Sequence, residues 1–260
     1  MDAQHPKSEI INPKAALVTG GAGEIGSAIC KKFAENGYSV IATYNSNQAK
    51  AETLLAELGS SKHRIIQAPS TDAAAVNRLT QLVTETYGRL DVLVNNAGIT
   101  TPVPHGDLDG LTDEWIDKIM QTNFRGSFAM MRATRSLLEK AAELTNTPSL
   151  VVNISSIAAI YGIGSNVAYC ASKAALDSMT RSLARALAPA IRVVSVSPGF
   201  VEGEYTKNFD PTYLKSQRDN TPLGRFATGE DVANAVFALA SSLTFSTGNI
   251  ITVDGGRLLG

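Results

Sequence analysis

Short apolar runs alternate with helix-patterned segments along this chain, and that alternation restricts its fold more than any other feature. The runs lie at 15–19, 38–43, 64–68, 91–95, 150–155, 192–197 and 250–253. Most are apolar throughout rather than at every second residue, as strands buried on both faces are. Between them, residues 27–36, 48–58, 72–87, 112–144, 167–187 and 230–241 carry helical periodicity, with the long fourth segment broken near Asn123 to Gly126. Gly37, Gly59 and Gly88 stand where helix-ending glycines stand. Pro189 ends the fifth helix because it has no N–H to continue the ladder.

Strands joined through helices pair in parallel by right-handed crossovers. The expected architecture is therefore α/β: one doubly wound, seven-stranded parallel sheet with helices on both faces. The 260 residues are 44% hydrophobic and 18% charged, which suffices for a sizeable core. No composition shift marks a second domain, so residues 14–260 read as a single domain behind an N-terminal extension, 1–13. That extension is polar and lacks the apolar centre of a signal peptide. A net charge of −1 without a basic tract gives no footprint for nucleic acid. No apolar stretch is long enough to span a bilayer, so no membrane partner is expected. Cys30 and Cys170 fall inside helices and read as reduced thiols of a cytoplasmic protein. His5, His63 and His105 are scattered without ligand spacing; they read as exposed loop residues, and no metal site is expected.

Thr19-Gly-Gly-Ala-Gly-Glu-Ile-Gly26 joins the first strand to the first helix. Glycines there let the backbone turn tightly and approach a pyrophosphate, whose charge then meets the helix N-terminus. On the first strand–helix junction of such a series, the turn points to a Rossmann-like, dinucleotide-binding domain, with Gly20, Gly23, Glu24, Ile25 and Gly26 expected around the phosphates. Strand two ends in Thr43-Tyr44-Asn45-Ser46, without the acid that accepts from an unphosphorylated ribose 2′-hydroxyl. Asn45 and Ser46 therefore favour NADP(H) over NAD(H), although no Arg or Lys stands at that corner and Glu24 brings a negative charge into the loop.

Further along, Asn95-Asn96-Ala97-Gly98, Asn123, Ser156, Tyr169-x-x-x-Lys173 and Pro198-Gly199 follow in order, then Pro222-Leu-Gly-Arg225, Thr247-Gly248 and Val253-Asp-Gly-Gly256. In this order the chain resembles the single-domain short-chain dehydrogenases/reductases from about Lys14 to Gly256, and within them the 3-oxoacyl-carrier-protein reductases. The resemblance implies that Tyr169 passes the proton, Lys173 holds the nicotinamide ribose and lowers the phenol pKa, and Ser156 binds the substrate oxygen. It also implies that Asn123 completes a water-linked proton path to Lys173. Gly20, Ile25, Asn96, Ala97, Gly98, Pro198, Gly199 and Val201 would contact the dinucleotide, largely through backbone. The spacing suits this chemistry: residues four apart on a helix share a face, and an ammonium near a phenol of pKa about 10 stabilises phenolate.

Three positions depart from the family pattern. Glu24 stands where Gly is common, Pro69 where an adenine-contacting Asp is frequent (Asp72 lies three residues on), and Gly203 where a Thr is frequent, with Thr206 the nearest hydroxyl. The segment 202–221 occupies the place of the family's substrate lid, and its shortness suggests a small or extended substrate. The expected activity is hydride transfer between a nicotinamide cofactor and a carbonyl or alcohol, foremost reduction of a 3-oxoacyl thioester-type ketone. A sugar, polyol or small secondary-alcohol dehydrogenase shares the same motifs, and a catalytically silent dinucleotide binder would share the fold. The resemblance further implies a homotetramer built through the long helices.

Overall fold

The computed structural model describes residues 13–259; the extension expected at 1–13 lies, but for its last residue, outside them, as does His5. Seven parallel strands form one sheet in the order β3-β2-β1-β4-β5-β6-β7. They span β1 Ala15–Val18, β2 Ser39–Tyr44, β3 Arg64–Gln67, β4 Val92–Asn95, β5 Ser149–Ile154, β6 Ile191–Pro198 and β7 Ile250–Val253. The crossovers carry α1 Glu24–Glu35, α2 Gln48–Leu58, α3 Ala73–Tyr87, α4 Asp113–Met120, α5 Ser127–Thr145, α6 Ala158–Tyr161, α7 Val167–Leu187, α8 Pro211–Asp219 and α9 Gly229–Ser241.

Successive residues of a strand feed opposite layers. Ala16 and Val18 pack with Ile29 and Phe33 of α1 and Val232 and Val236 of α9, whereas Ala15 and Leu17 pack with Leu79 of α3 and Met130 and Leu138 of α5. All seven of those helix side chains are excluded from solvent or nearly so, which is why the strands are apolar on both faces. A buried ion pair, Arg89 with Asp91, precedes β4. Its Asp91 Oδ2 accepts from the Ala15 N–H at 2.9 Å and ties β1 to β4.

The order reverses between β1 and β4, and in open parallel sheets the crevice at the carboxyl ends of such a pair is where ligands sit. Here that crevice receives the glycine-rich turn after β1 and Asn96 after β4.

The helix expected at 27–36 begins at Glu24, because Gly23 (φ −79°, ψ 171°) ends the turn and serves as the N-cap. The break expected near Asn123 is instead a π-helical stretch, Gln121–Gly126, that continues α4 into α5. His63 is no exposed loop residue: it is buried, and its Nδ1 accepts the Val40 N–H at 3.1 Å. Among the described residues, no helix is long and apolar enough to cross a membrane.

Candidate active site

The glycine-rich turn is built by close backbone approach. Gly20 adopts φ +63°, and a Cβ on Gly26 would collide with the Gly20 carbonyl oxygen. Asn96 clamps the turn from β4: its Nδ2 donates to the Thr19 and Gly20 carbonyls at 3.0 and 3.1 Å. In return Thr19 Oγ1 accepts the Asn96 and Ala97 N–H groups, both at 3.0 Å. Gly23 caps α1 with no side chain, so the first-turn N–H groups at the cavity wall are left for a ligand.

Across the crevice, α7 presents Tyr169 and Lys173. Asn166 caps this helix by accepting the Tyr169 N–H at 2.7 Å and is itself anchored by donating to the Thr101 carbonyl at 2.7 Å. Lys173 is buried; its Nζ donates to the Ile154 carbonyl at 2.7 Å and lies 5.7 Å from the centre of the Tyr169 ring. Burial pushes its pKa down to about 8, and the Asp177 carboxylate one turn along opposes that fall. Asp177 is also buried; desolvation raises its own pKa, while Ser155 and Ser195 favour its charged form. Ser156 follows β5, and its Oγ accepts the Ala158 N–H at 3.2 Å.

Asn123 is fully buried in the π-helical stretch. Its Nδ2 donates to the Ile99 carbonyl and Ser172 Oγ at 3.0 Å each, and its Oδ1 accepts the Ile99 N–H at 2.8 Å. The side chain thus fastens the strand-four loop to α7. A Cβ on Gly98 would lie 3.4 Å from Asn123 Oδ1 and 3.5 Å from Lys173 Nζ, so glycine lets the two groups close on the same point.

Gly23, Glu24, Ile25, Asn96, Gly98, Ser156, Tyr169, Lys173, Pro198, Gly199 and Val201 all line one cavity of about 720 Å³. Gly20, Gly26, Ala97 and Asn123 stand behind its wall. Asn45 and Ser46 are exposed beyond the end of β2 and do not line it. Of the substitute positions, Asp72 is committed elsewhere, its Oδ1 capping α3 through Ala74 and Ala75 N–H at 2.9 and 3.1 Å. Thr206 Oγ1 donates to the Gly203 carbonyl at 2.7 Å at the cavity edge.

Sequence reasoning missed several wall residues, among them Ile99, Ile154, Phe200, Lys50 and Glu204. The sequence places Lys50 only four residues beyond Ser46, and a helix beginning at Gln48 turns it back toward the strand end. No lysine was expected at that corner, but Lys50 lies in its wall, ion-paired with Glu204.

The turn, the uncapped helix N-terminus and the Tyr–Lys wall opposite fit a nicotinamide dinucleotide laid across the sheet ends. Residues 20–257 match the family model described as enoyl-(acyl carrier protein) reductase. The 3-oxoacyl-(acyl-carrier-protein) reductase FabG of Staphylococcus aureus is 35% identical over 256 residues, covering 95% of this chain and 98% of its own. Two solved structures superpose closely. One is the Pseudomonas aeruginosa RhlG/NADP active-site complex, with TM-score 0.85, 32% identity and coverage of 98% and 99%. The other is the 3-ketoacyl-(acyl-carrier-protein) reductase of Brucella melitensis complexed with NADH, with TM-score 0.86, 30% identity and coverage of 94% and 98%. Matched over nearly its whole length in sequence and in fold, the chain belongs to the short-chain dehydrogenases/reductases and is an NAD(P)-dependent oxidoreductase acting on carbonyl and alcohol groups.

Proposed function

We propose that this chain reduces the keto group of a 3-oxoacyl thioester with NADPH, using Tyr169 as the acid. The observation that carries this reading is the convergence of Ser156, Tyr169 and Lys173 on one cavity whose opposite wall is the glycine-rich turn. Kinship over 95% of the chain to a 3-oxoacyl-(acyl-carrier-protein) reductase supports the substrate class.

The bound dihydronicotinamide supplies hydride to the carbonyl carbon. Ser156 Oγ–H donates to the carbonyl oxygen and holds it beside Tyr169. As the C=O π bond breaks, the Tyr169 O–H bond breaks with it, and the proton passes to the nascent alkoxide, leaving alcohol and phenolate. The Lys173 ammonium stabilises that phenolate, an interaction strengthened by the low dielectric around a buried lysine. Asn123 acts as a positioning residue, holding the 96–100 loop against α7 through Ile99 and Ser172.

The absence of an acid at Asn45 and Ser46 and the presence of Lys50 in the same wall support NADPH as the reductant. The test follows loss of reduced-nicotinamide absorbance with a short 3-oxoacyl thioester, in NADPH and separately in NADH. Expected is consumption with kcat/KM at least about tenfold higher for NADPH, the worth of one charge-assisted contact. Equal or higher efficiency with NADH would overturn the cofactor assignment. No consumption with either would overturn the reductase reading in favour of polyol oxidation or silent binding.

The free thiols Cys30 and Cys170, both buried and both raised in pKa by burial, support a reducing, cytoplasmic setting. We also propose a homotetramer. The sheet ends at β7, whose Ile250, Ile251 and Val253 are only half-buried, beside the exposed Leu223 and Leu259. A second copy would cover that edge. Light scattering at micromolar concentration should give four times the chain mass; a monomer mass would refute it.

A further inference from the structure

The cavity carries an electrostatic imbalance at the end away from Tyr169. Glu24, Glu57, Glu202 and Glu204 all line the wall, against three cations, Lys31, Lys50 and Lys173. Lys31 is paired with Glu57 at 2.9 Å, helix to helix, and Lys173 is held by the Ile154 carbonyl at the nicotinamide end. Lys50 differs from both. It projects from the first turns of α2, next to the strand end at Asn45 and Ser46, and its partner Glu204 sits on the lid segment that follows β6.

That pairing draws the lid across the groove. Gly203, next to Glu204, lies so close to Glu24 that a Cβ there would be 3.1 Å from Glu24 Cγ. The lid therefore touches the glycine-rich turn and α2 together, above the place where a pyrophosphate would meet the N-terminus of α1. Both partners of the Lys50–Glu204 pair are about half exposed, at 47% and 64% of their side-chain surface. Pairs this exposed contribute little net stability. The contact is thus easily exchanged for a stronger one, and a phosphate monoester carries nearly twice the charge of a carboxylate.

We propose that Lys50 recognises the 2′-phosphate of NADP(H), and that Glu204 occupies Lys50 until that phosphate takes its place. Phosphate binding then frees the lid, whose neighbours Phe200 and Thr206 line the same cavity. NAD(H) leaves the Lys50–Glu204 pair in place. The proposal rests on the dinucleotide-binding reading above and is independent of the substrate.

The test is calorimetric binding of NADP+ and NAD+, without substrate, to the full chain and to Lys50→Gln, Glu204→Gln and the double variant. Lys50→Gln should weaken NADP+ by about tenfold or more, the loss of a charge-assisted contact, and leave NAD+ within about twofold. Glu204→Gln should tighten NADP+ by about two- to fivefold, the worth of an exposed pair, and that gain should vanish in the Lys50→Gln background. Equal weakening of both dinucleotides by Lys50→Gln, or no weakening, would overturn the assignment of Lys50. A Glu204→Gln gain that persists without Lys50 would overturn the exchange. Tighter wild-type binding of NAD+ than NADP+, with Lys50→Gln still selective against NADP+, would instead refute only the NADPH preference.

Discussion

Tyr169→Phe is expected to lower kcat by about three orders of magnitude, within the range for removal of a general acid, while leaving the NADP+ dissociation constant within about twofold. The substitution deletes one oxygen and keeps the ring that lies 5.7 Å from Lys173 Nζ. The Asn166 cap bonds the backbone N–H of residue 169, so the start of α7 stays in place. The glycine-rich turn and its Asn96 clamp lie on the other wall and are untouched. Proton delivery is then lost, and the split between turnover and binding identifies the role. Stopped-flow turnover beside fluorescence titration of the dinucleotide measures both. Near-normal turnover would remove Tyr169 from the chemistry, and a collapse of dinucleotide binding would make it a cofactor-holding group instead.

The sheet was legible because each inner strand is buried on two sides. Val40 to Ala42, Leu93 to Val94 and Val193 to Val194 have no solvent-facing positions, so the runs stand out without alternation. Tyr169, Lys173, Ser156 and the glycine turn were legible because a family resemblance reports their spacing.

What was not legible arises from contacts distant in sequence. Asn123 and Gly126 look like helix breakers, yet Gly126 packs against Ser70, and the widened turn there brings Asn123 inward to hold Ile99. His63 has the polarity of a loop residue, and only the approach of β2 makes it an acceptor for Val40. Helix α8 has no buried residue and so no apolar stripe to find. Its one local signal is Asp210-Pro211, a cap followed by a proline at the first helical position. Lys50 is not legible at that corner because the strand end itself, Thr43 to Ser46, carries no cation. The next helix folds back over that corner and adds a cation the strand does not supply.

Lys173→Met should abolish reduction to a comparable degree, and its dependence on pH separates it from a packing defect. Burial holds the Lys173 ammonium at a pKa of about 8, against the usual 10.5 of a solvated lysine. Between those values the unfolded chain binds more protons than the folded one, so folding stability rises with pH across that window. Below about pH 8 the folded state carries the full cost of the buried charge, of order 3 kcal/mol. Methionine keeps the stem and removes the charge, at the loss of the bond to the Ile154 carbonyl. The wild type should therefore gain stability relative to Lys173→Met as pH rises from 8 toward 10, measured by denaturant unfolding at each pH. A constant difference would mean that burial does not lower the Lys173 pKa below that of the unfolded chain. The same ammonium is expected to set the pH–rate profile, since kcat/KM reports the free enzyme. Reduction should decline as pH passes about 8, where Lys173 loses its proton and with it the stabilisation of the Tyr169 phenolate. Asp177→Asn should move that inflection to lower pH, because the carboxylate one turn away is what opposes the effect of burial. A profile flat through pH 8, or an inflection unmoved by Asp177→Asn, would place the titrating group elsewhere.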